Sequence, residues 1–187
     1  MAEVYLRRLT RWQAEQQRQD VADMYVTAYR GAAGAEYSDR GGFLRRFERN
    51  VGHDGFDMTV ADASGLVGCG YGYRLDRDGA WWADYPVEVS PQTEELTASG
   101  RVFALTELMV LPGYRRQGVA TRLGELLLSR HSHDLVVAGV DPDVASAGFR
   151  DLLRAWGWKE LPVSRPGTTT GSTDRERREV WARGPVQ

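Results

Sequence analysis

The chain has 187 residues, a length that suits one domain of ~100–200 residues, and a single domain over residues 1–187 is expected. Hydrophobic residues make up 42% and charged residues 27%, a globular composition that excludes a disordered chain. Lysine and arginine number 24 against 26 aspartates and glutamates, a net charge of -2, so the basic footprint of a nucleic-acid binder is missing and no nucleic-acid partner is expected. Cys69 stands alone, which excludes an intramolecular disulfide framework and fits a reducing compartment. Three histidines leave little material for a zinc site, and no metal is expected. No stretch approaches the ~18 apolar residues of a membrane span. Met1-Ala2-Glu3-Val4-Tyr5 runs into Arg7 and Arg8 without an apolar signal-peptide core. The expectation is a soluble, cytoplasmic protein with no membrane partner.

In chain order, Val4 to Leu9 is a first strand. Gln16 to Tyr29 follows as a helix, with Val21, Met24, Tyr25 and Ala28 at helical spacing and Gly31 as its stop. Phe43, Leu44 and Phe47 stripe a second helix that ends before Gly52. Phe56 to Ala63 and Leu66 to Leu75 read as strands joined at Ser64-Gly65, a hairpin signal. Asp76 to Gly100 is a long connecting segment, and Val102 to Leu111 is a fourth, apolar strand. Val119 to Arg130 is a helix with Leu123, Leu126 and Leu127 on one face. Leu135 to Val140 is a short apolar run, the mark of a strand covered on both faces. Val144 to Trp156 reads as a helix stopped by Gly157, and Trp158 to Val163 as a strand. Ser164 to Arg175 has the composition of a mobile loop, and Glu179 to Arg183 is a final strand returning beside the one before it.

The informative stretch is Glu107-Leu108-Met109-Val110-Leu111-Pro112-Gly113-Tyr114-Arg115-Arg116-Gln117-Gly118-Val119-Ala120-Thr121. A strand ends, a short loop follows, and a helix opens near Gly118. Backbone N–H groups at a helix start lack an intrahelical acceptor and bind anions. Gly118 has no side chain to hold a phosphate away, Ala120 adds only a methyl, and Arg115 and Arg116 bring planar cationic donors. The pattern is a pyrophosphate cradle. It is neither a P-loop nor a dinucleotide fingerprint, since neither Gly-x-x-x-x-Gly-Lys-Ser/Thr nor Gly-x-Gly-x-x-Gly occurs there.

With Arg115, Gly118 and Ala120 in register, the segment resembles the Arg/Gln-x-x-Gly-x-Gly/Ala acetyl-CoA motif of the GNAT N-acetyltransferases. Leu108, Val110, Pro112 and Tyr114 match the strand and loop that lead into that motif, and Ala147 to Trp158 resembles the family's last helix and closing Gly-aromatic pair. The resemblance implies an α/β (α+β) GNAT fold, a mixed, mostly antiparallel sheet of about seven strands flanked by about four helices. It implies acetyl-CoA as acyl donor and a primary amine, in particular that of a small molecule, as acceptor, with direct attack in a ternary complex. Leu108, Met109 and Val110 would contact the pantetheine arm through their main chain. Arg115, Arg116, Gln117, Gly118, Val119, Ala120 and Thr121 would hold the pyrophosphate. A homodimer is common in the family. One position departs from the pattern: many members carry a Tyr four residues before the closing Gly as acid for the leaving thiolate, and here that position is Leu153. The alternatives are a catalytically silent acyl-CoA-binding or regulatory module, or a protein amino-group acetyltransferase.

Acetyl transfer to an amine needs a base for the ammonium proton, a donor for the developing oxyanion, and near-attack placement of ~3–3.5 Å. Glu107 is the candidate base, on the strand face opposite Leu108 and Val110, and its other reading is a carboxylate paired with an Arg or turned to solvent. His53, His131 and His133 read as surface residues, and Cys69, inside Gly68-Cys69-Gly70, as a small strand residue rather than a nucleophile. Trp81-Trp82 reads equally as a substrate wall or as packing, and Ser146 as a further cofactor contact. Asp76, Asp78, Asp84, Glu88, Glu94 and Glu95 make the connecting segment acidic, which would steer a cationic amine, or else it is an ordinary solvated loop.

Overall fold

The computed structural model describes residues 3–32, 34–144, 147–162 and 178–184. The Ser164 to Arg175 loop, Ser146 and Val163 lie outside them. In chain order the elements are β1 (Tyr5–Leu9), α1 (Arg11–Gln16), α2 (Arg18–Ala28), α3 (Arg40–Gly52), β2 (Asp57–Asp62), β3 (Leu66–Arg74), α4 (Ala80–Ala83), α5 (Pro91–Ala98), β4 (Val102–Val110), α6 (Val119–Leu128), β5 (Leu135–Val140), α7 (Ala147–Ala155), β6 (Lys159–Glu160) and β7 (Glu179–Arg183). Two 3-10 turns stand at Ala35–Tyr37 and Pro112–Tyr114. The strand order is β1-β2-β3-β4-β5-β7-β6, mostly antiparallel, with β4 and β5 parallel. The four expected helices are the longer ones, α2, α3, α6 and α7, of 11, 13, 10 and 9 residues. Three shorter helices, α1, α4 and α5, were not anticipated. No described helix is long and apolar enough to cross a membrane.

The chain forms two compact units, one from Met1–Tyr73 with Leu105–Arg130 and one from Arg74–Ala104 with His131–Gln187. In the first, β2 is buried along both faces from Asp57 to Ala61. Met58, Val60 and Tyr71 are buried, as are Phe43, Phe47 and Val51 of α3 and Val21, Met24 and Tyr25 of α2, with Phe47 edge-on to Tyr71 at 5.1 Å and Tyr25 stacked on Phe43 at 4.2 Å. The opposite face carries Ala61, Val67 and Val110 against Val119 and Leu123 of α6. A Cβ at Gly68 would stand 3.1 Å from both Leu123 Cδ1 and the Met109 carbonyl, so glycine there lets helix and strand close together. The β2–β3 hairpin turns at Ser64 and Gly65, both at positive φ (63° and 134°), as the sequence signal implies.

The expected Gln16 to Tyr29 helix is in fact α2 with a separate α1 before it. Thr10 caps α1 in a reciprocal box, accepting from Gln13 N at 3.2 Å while its own N–H donates to Gln13 Oε1 at 2.9 Å. The Thr-x-x-Gln spacing is the signal that marks this start.

In the second unit, Val102, Phe103 and Ala104 pair in parallel with Leu135, Val136 and Val137 of β5, which pairs antiparallel with β7. Val136 and Val137 are fully buried, as a strand covered on both faces requires. The expected strand at Trp158 to Val163 is shorter, with Lys159 and Glu160 paired to β7. The acidic segment is not a plain loop. Ser90 caps α5, Pro91 opens it and Glu94 sits in its first turn, while Trp82 of α4 donates from Nε1 to Thr97 Oγ1 at 3.0 Å. His131 is buried rather than superficial: its ring stacks on Phe103 at 3.8 Å, its Nδ1 lies 3.1 Å from Asp134 Oδ2, and Arg74 Nη2 donates to the same oxygen at 3.3 Å.

Candidate active site

The first unit holds both parts of the site. β4 leads through the Pro112–Tyr114 turn to α6, whose first backbone bond runs from Arg122 N–H to the Gly118 carbonyl at 3.0 Å. By helix geometry, the N–H groups from Gly118 to Thr121 have no acceptor inside α6. Arg116 and Gly118 both take left-handed backbone conformations, φ 59° and 74°. Alternation of this kind turns successive N–H groups to one side and makes an anion-binding concavity at the positive end of a helix. A non-glycine residue at φ 59° is uncommon, and Arg116 holds it at the rim of this concavity. A Cβ at Gly118 would meet no protein atom within 4 Å, so the position opens outward. The residues therefore fit a pyrophosphate.

Arg115 is tied into the fold by its side chain. Its Nε donates to the Val110 carbonyl at 2.9 Å and its Nη2 to the Ala28 carbonyl at 2.5 Å, while its backbone N–H is bonded to Pro112. The guanidinium thus ties the end of β4 to the C-terminal turn of α2, where carbonyls lack helical partners and a cation is favourable. Gln117 Nε2 donates back to the Gly113 carbonyl at 3.0 Å and so braces the loop. Both loop arginines are exposed, and Arg116 stands at the cradle. Leu108 and Val110 turn toward α6: a Cβ at Gly70 would lie 3.1 Å from Leu108 Cδ1, and one at Gly68 would lie 3.3 Å from Val110 Cγ2. Met109 is buried on the other side of the strand.

Glu107 shares that other side. It is half-buried, and its Oε1 accepts a hydrogen bond from the Tyr29 hydroxyl. Tyr29 caps the C-terminus of α2, with its ring 4.9 Å from Tyr25 and 5.0 Å from Tyr37. Arg46 of α3 donates to the Tyr25 hydroxyl at 3.2 Å and lies 5.7 Å from the centre of its ring. Cys69 and Tyr71 of β3 complete the surroundings. Burial first, then the charge of Glu107 and its hydrogen bond, push the Tyr29 phenol well above its ordinary value. Burial and the same carboxylate raise Tyr71 and the Cys69 thiol. Cys69 is thus an inert buried thiol, as its glycine-flanked strand position suggests.

The structure gives Glu107 a tyrosine hydroxyl as partner. Sequence reasoning missed Tyr29, Tyr25, Tyr37 and Arg46. The available signal was the Tyr25–Tyr29 pair at i,i+4, which places two phenols on one helix face. In the second unit, Leu153 is 1% exposed and belongs to the core beneath α7. Trp82 is packing, buried and bonded to Thr97, and Trp81 lies 4.3 Å from Tyr85. All six carboxylates of the connecting segment are exposed.

No protein-family model and no curated protein match the sequence. Solved structures do. An acetyltransferase of the GNAT family from Staphylococcus aureus Mu50 is 13% identical with a TM-score of 0.61, covering 97% of this chain and 98% of that one. A histone acetyltransferase HPA2 and related acetyltransferase from Corynebacterium glutamicum is 14% identical with a TM-score of 0.63, covering 100% and 98%. The PaiA N-acetyltransferase of Thermoplasma acidophilum, in complex with coenzyme A, is 14% identical with a TM-score of 0.57, covering 97% and 99%. With that likeness over nearly its whole length, the chain has the fold of the GNAT acetyltransferases.

Proposed function

We propose that this protein is an acetyl-CoA-dependent N-acetyltransferase that acts on a primary amine of a small molecule, as one cytoplasmic domain over residues 1–187. The observation that carries the reading is the N–H cradle at the start of α6, open at Gly118, on the same strand–loop–helix that bears Glu107. The coenzyme A complex of the T. acidophilum protein supports a CoA derivative as ligand. The backbone from Arg116 to Thr121, with the Arg116 side chain, would hold the pyrophosphate, and the main chain of Leu108, Met109 and Val110 the pantetheine arm. Arg115 serves by holding the loop to α2.

In this reading Glu107 takes a proton from the acceptor ammonium, and the neutral amine attacks the thioester carbonyl. A strand N–H answers the charge that develops on the carbonyl oxygen. The C–S bond breaks as the C–N bond is made, and the second nitrogen proton leaves with the thiolate as CoA thiol. No separate acid is required, because a thiol of pKa ~8.5 is a competent leaving group.

Leu153, buried at the position where many members of the resembled family carry a Tyr, favours a second reading, a silent acyl-CoA-binding module. Release of free CoA on adding a panel of mono- and diamines to protein with acetyl-CoA separates the two. Amine-dependent release is expected. A thermal shift with acetyl-CoA but no release with any amine establishes the silent module.

A further inference from the structure

We propose that Tyr29 is the positioning residue of the site: its phenol orients the Glu107 carboxylate and keeps it ionised for proton transfer. This rests on the transferase reading above. Tyr29 is held from several directions. Its backbone N–H bonds the Tyr25 carbonyl at 3.0 Å, its ring packs on Tyr25 and Tyr37, and the carbonyl just before it, on Ala28, is gripped by Arg115. A phenol so anchored keeps one direction, and that direction ends on Glu107 Oε1.

The chemistry separates positioning from acid catalysis. A donor to a carboxylate stabilises the charged form, against the desolvation that burial imposes on it. With its own titration pushed well above the ordinary phenol value, Tyr29 stays a neutral donor across any practical assay pH. The same property makes it a poor proton source for a thiolate of pKa ~8.5, so it does not replace the Tyr missing at Leu153. Of the other groups around the pair, burial pushes up the Cys69 thiol and the Tyr71 phenol on β3. Tyr25 on α2, Tyr37 in the 3-10 turn and Arg46 on α3 complete the cluster. Arg115 also links the proposed cofactor loop to the residue beside Tyr29, so cradle and base share one brace.

The test is Tyr29→Phe in the full chain, read in two ways. The 13C titration of the Glu107 carboxyl, assigned by its loss in Glu107→Gln, is expected to move up by about one pH unit. The acid limb of kcat/KM is expected to move with it, while the KM for acetyl-CoA stays put. An unmoved Glu107 titration in folded Tyr29→Phe overturns the proposal. If Tyr29→Phe does not fold, 3-fluorotyrosine at position 29, a stronger donor of nearly the same size, is expected to move the Glu107 titration down, and an unmoved value again overturns it. Loss of the transferase reading looks different: wild-type protein then releases no CoA with any amine, although the Glu107 titration still responds to position 29. That result overturns the catalytic role while leaving the pair itself intact.

Discussion

At Gly118 one absent Cβ leaves the start of α6 open, and at Glu107 one phenol donates to a carboxylate. Acetyl-CoA is expected to raise the melting temperature, since a ligand that binds the folded state alone stabilises it by mass action. Gly118→Glu should abolish that shift by placing bulk and negative charge in the cradle. The variant carries some strain from a left-handed φ of 74°, so its melting point without ligand is the reference. An unchanged shift in the folded variant would put the cofactor elsewhere. Glu107→Gln should keep acetyl-CoA affinity and lower turnover by about 10²–10⁴-fold. The deficit should shrink at high pH, where more of the amine is already neutral. Wild-type turnover near pH 7 would move the base role to another group.

The elements are joined by side chains that reach carbonyls. Arg115 bridges β4 and α2, and Arg8 of β1 donates to Asp57 of β2 and to the Leu126 carbonyl near the end of α6. Arg115→Ala leaves two carbonyls without their donor and should destabilise the fold by about 1–2 kcal/mol in a denaturant titration. It should also raise the KM for acetyl-CoA without changing the pH profile, because the loop loses its brace while Glu107 keeps Tyr29. On α7, Leu153→Tyr tests whether the missing acid can simply be restored. At 1% exposure the larger side chain has no room, and a loss of about 1–3 kcal/mol with no gain in turnover is expected. A folded, faster Leu153→Tyr enzyme would show that this position faces the reaction. The element boundaries that sequence reading misplaced share a cause. α1, α4 and α5 are short, so their apolar periodicity is faint. Their starts are announced by the Thr10–Gln13 box, by Asp78 accepting from Ala80 N at 2.9 Å, and by Ser90-Pro91.

Across the molecule, acid sensitivity follows from an ion pair between α7 and β7. Arg150 donates to both oxygens of Glu179, at 3.0 and 3.2 Å from Nε and at 2.7 Å from Nη2, and Trp181 Nε1 adds a bond at 3.2 Å. The Arg150 hydrogen bonds hold the Glu179 carboxyl below its ordinary value, against the opposing effect of partial burial. A depressed carboxyl stabilises the fold above the unfolded value of ~4.3, and that contribution fades as pH falls through the lower folded value. Thermal melts should therefore show Glu179→Gln less stable than wild type at pH 7 and the two converging toward pH 3. A gap that stays constant with pH would assign the loss to packing instead.

Much of the fold was legible because its strands and longer helices obey local periodicity. Val119, Leu123 and Leu127 face one way whatever surrounds them, and the uninterrupted apolar run from Leu135 to Val140 announces a strand covered twice. The cradle was legible for a similar reason: a glycine at a helix start after an apolar strand acts through its own backbone, so its meaning is local. The partnerships at the site were not. Tyr29 and Glu107 are 78 residues apart and Arg115 and Ala28 are 87 apart, and no spacing rule relates such positions. Whether an arginine holds a phosphate or a carbonyl depends on which acceptor the folded chain brings within reach. His131 likewise reads as a surface residue until Phe103 and Asp134 enclose it. The sequence by itself determined the order of the strands and longer helices and the glycine at the start of α6, because both follow from local backbone geometry. Only the tertiary structure decided which charges are paired, because Coulomb and hydrogen-bond energies depend on distances that the packing of distant segments creates.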